Sequence, residues 1–183
     1  SCILNFEKYW GKTVISKIET TYRFGKQLID ISGRYIMKNP AQIKKALQSS
    51  TTESGFPLSF IEGYNDKLLI KFMAERLRKL EKGATVFFIG RYSSDKRMFN
   101  DSVFEQQAND AIVLPERPDL KMVFITAHKS KGLQADYVFI LNNSGNVKGF
   151  PSKIQDDPIV QLLLKNSDVD PFAEERRLYY VAM

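Results

Sequence analysis

The chain is 183 residues long, 43% hydrophobic and 26% charged, which fits about one globular domain and excludes a disordered, collagen-like or low-complexity polypeptide. Lys and Arg total 27 against 21 Asp and Glu, and the resulting charge of +6 favours anionic partners without being extreme. The lone cysteine, Cys2, excludes an internal disulfide and a cysteine-rich zinc site, and no apolar run approaches the roughly 20 residues of a membrane span, so a reducing, cytoplasmic setting is expected.

In chain order, the β-branched stretch Thr13 to Thr21 suggests a strand and its exit turn. From Gln27 to Lys38, the residues Leu28, Ile31, Ser32, Tyr35 and Ile36 share a helical face, and Asn39-Pro40 ends it. A short helix with Ile43 and Leu47 is expected after Pro40, then a polar loop over Ser49 to Gly55. Leu58 to Ile61 reads as a strand. Asn65 or Asp66 then caps a helix with Leu68, Leu69, Phe72, Met73, Leu77 and Leu80 inward, closed by Gly83.

Ala84 to Ile89 is a continuous apolar run, as in a strand buried on both faces of a parallel sheet. A weaker helix is expected over Ser94 to Asn109. Met122 to Ile125 and Tyr137 to Leu141 repeat the buried-strand signature, and Asn142 to Lys153 reads as a loop. Helical segments are expected near Pro158 to Lys165 and from Pro171 onward. Strands alternating with helices predict an α/β domain with a mainly parallel sheet, its ligand loops at the carboxyl ends of the strands. The chain opens on Ser1 and stops at Met183 inside an apolar pattern, so it is expected to be a piece of a longer protein.

Three stretches carry candidate chemistry. In Thr126-Ala127-His128-Lys129-Ser130-Lys131-Gly132-Leu133-Gln134, Gly132 frees backbone N–H groups beside the Lys131 ammonium, which suits an anion; a solvated loop is the plainer alternative. In Tyr22-Arg23, a stacking ring precedes a guanidinium suited to phosphate, or the pair is an ordinary helix entry. Glu174-Glu175-Arg176-Arg177 reads as part of a surface helix laced by i,i+3 and i,i+4 ion pairs, with Glu174 and Arg177 on one face. Gly11-Lys12-Thr13 is no phosphate loop: Phe6 stands where the pattern needs a glycine, and a β-branched stretch follows instead of a helix. His128 is the single histidine and has no metal-ligand spacing around it, so no metal site is expected.

Together and in this order, the stretches resemble the second RecA-like domain of UvrD/Rep-type superfamily 1 DNA helicases. Tyr22-Arg23 is similar to motif IV, Arg91 to the arginine of motif IVa, Thr126 to Gln134 to motif V, and Glu174 to Ala182 to most of motif VI. About 100 residues separate motifs IV and V, too few for the large inserted subdomain of UvrD itself.

The resemblance implies a RecA-like fold over residues 1–183, without its own P-loop and cut at the end of motif VI. It implies ATP and Mg²⁺ as cofactors, held mainly by an N-terminal RecA-like domain of the same parent, and single-stranded DNA as partner. Tyr22 would stack on adenine and Arg23 would act as an arginine finger on the γ-phosphate. Lys131 and Gly132 would lie near the phosphates, and Gln134 stands where most relatives have a ribose-binding Glu. Arg91 and Ser93 would touch the DNA backbone, and Thr126 and His128 would couple DNA to nucleotide. Glu174, Glu175, Arg176 and Arg177 would be structural, the arginines paired with those glutamates or with neighbours. The fragment alone is expected to be inactive. A non-catalytic nucleic-acid or protein-binding module on the same scaffold is the alternative.

Overall fold

The computed structural model describes residues 5–14, 16, 18–40, 42, 47–51, 57–154 and 172–183. The helix expected near Pro158 to Lys165 and most of the one expected after Pro40 lie outside the described residues.

The helices expected from Gln27 to Lys38, after Asn65 and after Pro171 all form. After a one-turn helix α1 (Phe6–Trp10) and strand β1 (Thr20–Thr21), α2 spans Lys26–Ile36 and buries Ile29, Ser32 and Ile36. Strand β2 (Gln48–Ser49) pairs in parallel with β1. Helix α3 spans Asp66–Leu77, and Asn65 caps it by accepting the Leu68 N–H at 3.0 Å. Its buried stripe is Ile70, Met73, Ala74 and Leu77. The stripe is rotated from the expected one, so Leu68 stays 52% exposed. Leu58 to Ile61, expected as a strand, finds no ladder and is not one.

The main sheet contains β3 (Thr85–Gly90), β4 (Glu105–Gln106), β5 (Ala111–Val113), β6 (Lys121–Thr126) and β7 (Tyr137–Ile140), in the order β4-β5-β6-β3-β7. The strands β6, β3 and β7 run parallel, while β4–β5 and β5–β6 are antiparallel. The sheet is therefore mixed, with a parallel half, rather than mainly parallel. Strand β7 is less covered than its apolar run suggests: Tyr137 and Val138 are 36% and 38% exposed.

The helix expected over Ser94 to Asn109 is absent. A 3₁₀ segment over Ser93–Phe99 is followed by β4 and β5. The reason lies in the core. Phe99 and Phe104 both pack against Phe88, with ring centroids 4.9 and 6.0 Å away. Five residues apart on one α-helix, their side chains would diverge by about 140°.

The core has two sides. Val86 and Phe88 of β3 join Leu77, Phe99, Ile112 and Leu114 beneath α3. Ile89, with Phe87 beside it, faces the other way, onto Ala127, Phe150 and Tyr179. Tyr179 belongs to helix α4 (Ala173–Ala182), which packs on α2 through the Tyr35 and Tyr179 rings, 5.3 Å apart. Helices thus cover both faces of the sheet. Among the described residues, no helix is long and apolar enough to cross a membrane.

Candidate functional site

The parallel strands deliver the candidate residues. β3 ends at Gly90, where a Cβ atom would meet the Asp95 Cβ at 2.8 Å and the Phe124 ring at 3.0 Å. This close approach lets Asp95 accept the Tyr92 N–H at 2.9 Å and the Asn142 side-chain amide at 3.1 Å, drawing together the loops after β3 and β7.

The loop after β6 is a tight turn. The Thr126 carbonyl accepts the N–H groups of Lys129 and Ser130 at 2.9 and 3.0 Å, and the Ser130 hydroxyl donates to the Ala127 carbonyl at 2.8 Å. His128 and Lys129 are left exposed at its tip. Gly132 follows at φ +85°, a conformation suited to glycine, and Lys131 to Gln134 remain exposed. The far end is pinned, because Asp136 Oδ2 accepts the Thr85 N–H and hydroxyl at 2.8 and 2.6 Å. Those two bonds, the hydroxyl first, hold the Asp136 carboxyl below its ordinary range.

The Tyr22-Arg23 segment is a turn leaving β1. The Tyr22 carbonyl accepts the Thr51 hydroxyl at 3.3 Å and the Phe24 carbonyl accepts the Ser49 hydroxyl at 2.8 Å, so β2 holds the turn. Arg23 is exposed and Tyr22 is 79% exposed. Arg23, Lys131, Gly132 and Gln134 line one open cleft of about 1910 Å³, with Tyr180 and Met183 of the α4 end on its wall. Tyr22, which precedes Arg23 in the chain, is not part of this lining. Residues more than one hundred positions apart in sequence thus line one cavity, whose wall also carries hydroxyls and the carboxylates of Glu62, Asp66, Asp95 and Asp136.

Ser93 and Thr126 line a second pocket, of about 120 Å³, together with Lys96 and Lys129. The two lysines were not anticipated from the sequence, although Lys129 adjoins His128. Lys96 pairs with Asp110 at 2.7 Å. The hydrogen bond from Lys96, then its charge, lowers the Asp110 pKa, and the charge of Lys129 adds to this.

Arg91 is engaged inside the domain. Its Nε and Nη2 lie 2.8 and 2.6 Å from Glu175 Oε1, and the two side chains are only 17% and 13% exposed. Burial opposes the Arg91 charge, but the hydrogen bond and attraction from Glu175 outweigh it and raise the pKa. The guanidinium also lies 4.9 Å from the Tyr92 ring centroid. Glu175 Oε2 accepts the Ser152 N–H at 2.8 Å, and the Ser152 and Tyr92 hydroxyls are 2.6 Å apart. Glu175 therefore serves a distant arginine, whereas sequence proximity had suggested Arg176 or Arg177. Arg176 stacks over Tyr35 at 5.4 Å, joining α4 to α2. Glu174 and Arg177 are exposed on α4.

Comparison with known proteins agrees with this arrangement of motifs. Residues 114–183 match the UvrD-like helicase C-terminal domain. The chain is 29% identical over 178 residues to DNA helicase IV of Escherichia coli (strain K12), covering 97% of this chain and 24% of that protein. It thus spans about a quarter of the relative's length. The short interval between Arg23 and Thr126, too short for the large inserted subdomain of UvrD, is in keeping with this match. No solved structure matches the chain. Residues 114–183 are thus similar to the C-terminal domain of UvrD-like helicases, and the chain over nearly its whole length to part of DNA helicase IV.

Proposed function

We propose that this chain is the second, RecA-like motor domain of an ATP-dependent DNA helicase that translocates on single-stranded DNA. The observation that carries the reading is the convergence of Arg23, Lys131, Gly132 and Gln134 on one cleft beside the carboxyl ends of parallel strands. Ligands of open α/β sheets bind at such ends.

The donor set suits a nucleoside triphosphate. A guanidinium, an ammonium and an exposed backbone turn match phosphate oxygens, and the Gln134 amide suits a ribose hydroxyl. Arg23 would stabilise charge on the transferring γ-phosphoryl group, and Tyr22 before it would cover the base. Magnesium neutralises phosphate charge when bound; in this reading the first motor domain holds it, together with the P-loop. The chain here, residues 1–183, supplies the other half of the site and turns over no ATP by itself.

The pocket of Ser93, Lys96, Thr126 and Lys129 would take DNA backbone phosphates, giving sequence-tolerant, salt-dependent binding. The single turn from Thr126 to Gln134 serves both sites, with exposed His128 between them, so DNA binding and phosphate contact share one segment.

The test is ATP turnover by the full-length protein, with and without single-stranded DNA. Turnover that rises with DNA supports the reading. A protein that binds single-stranded DNA but hydrolyses no ATP overturns it in favour of a non-catalytic binding module.

A further inference from the structure

The Arg91–Glu175 pair joins two parts of the molecule that the two proposed sites use separately. Arg91 directly follows β3, two residues before Ser93 in the small pocket. Glu175 sits in the first turn of α4, whose other end, Tyr179 to Met183, lines the large cleft. Glu175 uses both oxygens, one on Arg91 and one on the Ser152 N–H, and Ser152 returns to Tyr92 through its hydroxyl. Arg91 over the Tyr92 ring completes a closed ring of contacts, including the Ser152 main-chain N–H, that links the segment after β3, the loop after β7 and α4. A pair this sheltered is costly to break, because either charge alone is left poorly solvated.

We propose that Glu175 is a positioning residue that, through Arg91, ties helix α4 on the nucleotide cleft to the DNA-facing end of β3, so that DNA binding sets the geometry of the cleft. This rests on the helicase reading above. It also gives Arg91 an internal role in place of a direct DNA contact, and distinguishes Glu175 from its neighbours Glu174, Arg176 and Arg177.

A double-mutant cycle in the full-length protein tests it, using Glu175→Gln, Arg91→Gln and both together. The readout is the ratio of DNA-stimulated to basal ATP turnover, with affinity for an oligothymidylate and the melting temperature measured alongside. Glu175→Gln is expected to leave basal turnover within about twofold and to lower the stimulation ratio about tenfold, a coupling loss of usual size. The double variant is expected to lose the same tenfold.

Losses that multiply to about a hundredfold, or a fall in oligothymidylate affinity confined to Arg91→Gln, would assign Arg91 to DNA and overturn the proposal. Equal losses of basal and stimulated turnover would reduce the pair to a stabilising contact and overturn it too. If the glutamine variants do not fold, Tyr92→Phe removes only the hydroxyl link to Ser152. It is expected to lower the ratio two- to threefold with basal turnover intact, and an unchanged ratio sinks the idea. Wild-type protein with no DNA stimulation would instead overturn the helicase reading itself.

Discussion

Asp136 and Thr85 are joined by four hydrogen bonds. Asp136 Oδ2 accepts from the Thr85 N–H and hydroxyl, and the Asp136 N–H donates to both the carbonyl and the hydroxyl oxygen of Thr85, each at 3.1 Å. The contact closes the start of β7 onto the start of β3 and fixes where the Lys131 to Gln134 turn ends. Asp136→Ala removes the side-chain bonds, and the exposed setting keeps the cost to about 1 kcal/mol. The expected functional result is weaker ATP binding by the full-length protein with little change in DNA affinity, as read by nucleotide titration and fluorescence anisotropy.

Arg23 is the residue whose loss should matter most to chemistry. Arg23→Ala in the full-length protein is expected to lower kcat by about 10³-fold, the contribution of an arginine finger. ATP affinity should change far less, because Lys131 and the Gly132 turn remain. Unchanged turnover would remove Arg23 from the reaction.

Lys96 and Lys129 should act as phosphate contacts. Replacing both by Gln is expected to weaken binding to all single-stranded sequences alike. The slope of log K against log salt should become shallower by about 1.4, at roughly 0.7 per lost phosphate contact. A slope identical to wild type would leave the small pocket without a DNA role.

Stability should depend on Arg117. Its Nη1 donates to the carbonyls of Leu77, Arg78 and Leu80 at 2.9, 3.0 and 3.0 Å, and Nη2 pairs with Asp119 at 2.8 Å. These carbonyls end α3, where a cation satisfies acceptors that the helix leaves open. Arg117→Ala is expected to lower the melting temperature of this domain by about 5 °C, readable by circular dichroism.

The same region sets an acid limit. The hydrogen bond from Arg117 and then the Gly83 N–H depress the Asp119 pKa, and Arg78 depresses that of Glu116. A folded pKa below the unfolded one stabilises the protein above the unfolded value of about 4, and that contribution is lost as pH falls through the folded value. Thermal midpoints should therefore be flat from neutral to about pH 5 and fall below about pH 4. Asp119→Asn should lower the midpoint at pH 7 and flatten the acid decline.

Local periodicity was enough to place α2, α3, β3, β6 and α4, because burial of one face leaves its period in the residue order. It did not reveal β4 and β5, which are two and three residues long and too short to show a period. Nor did it place Leu58 to Ile61, since an extended segment becomes a strand only where a neighbour pairs with it.

The sites divide in the same way. The order and spacing of Tyr22-Arg23, Thr126 to Gln134 and Glu174 to Ala182 were sufficient to show the resemblance to UvrD-like helicases, since side-chain chemistry at fixed spacing is written in the chain itself. Folding alone decided who meets whom. Arg91 and Glu175 are 84 residues apart, and Lys96 reaches Lys129 only because β3 and β6 are neighbours in register. Long-range charge pairing depends on the sheet order, which no local pattern encodes, so the Arg91 partner and the two lysines of the small pocket became visible only in three dimensions.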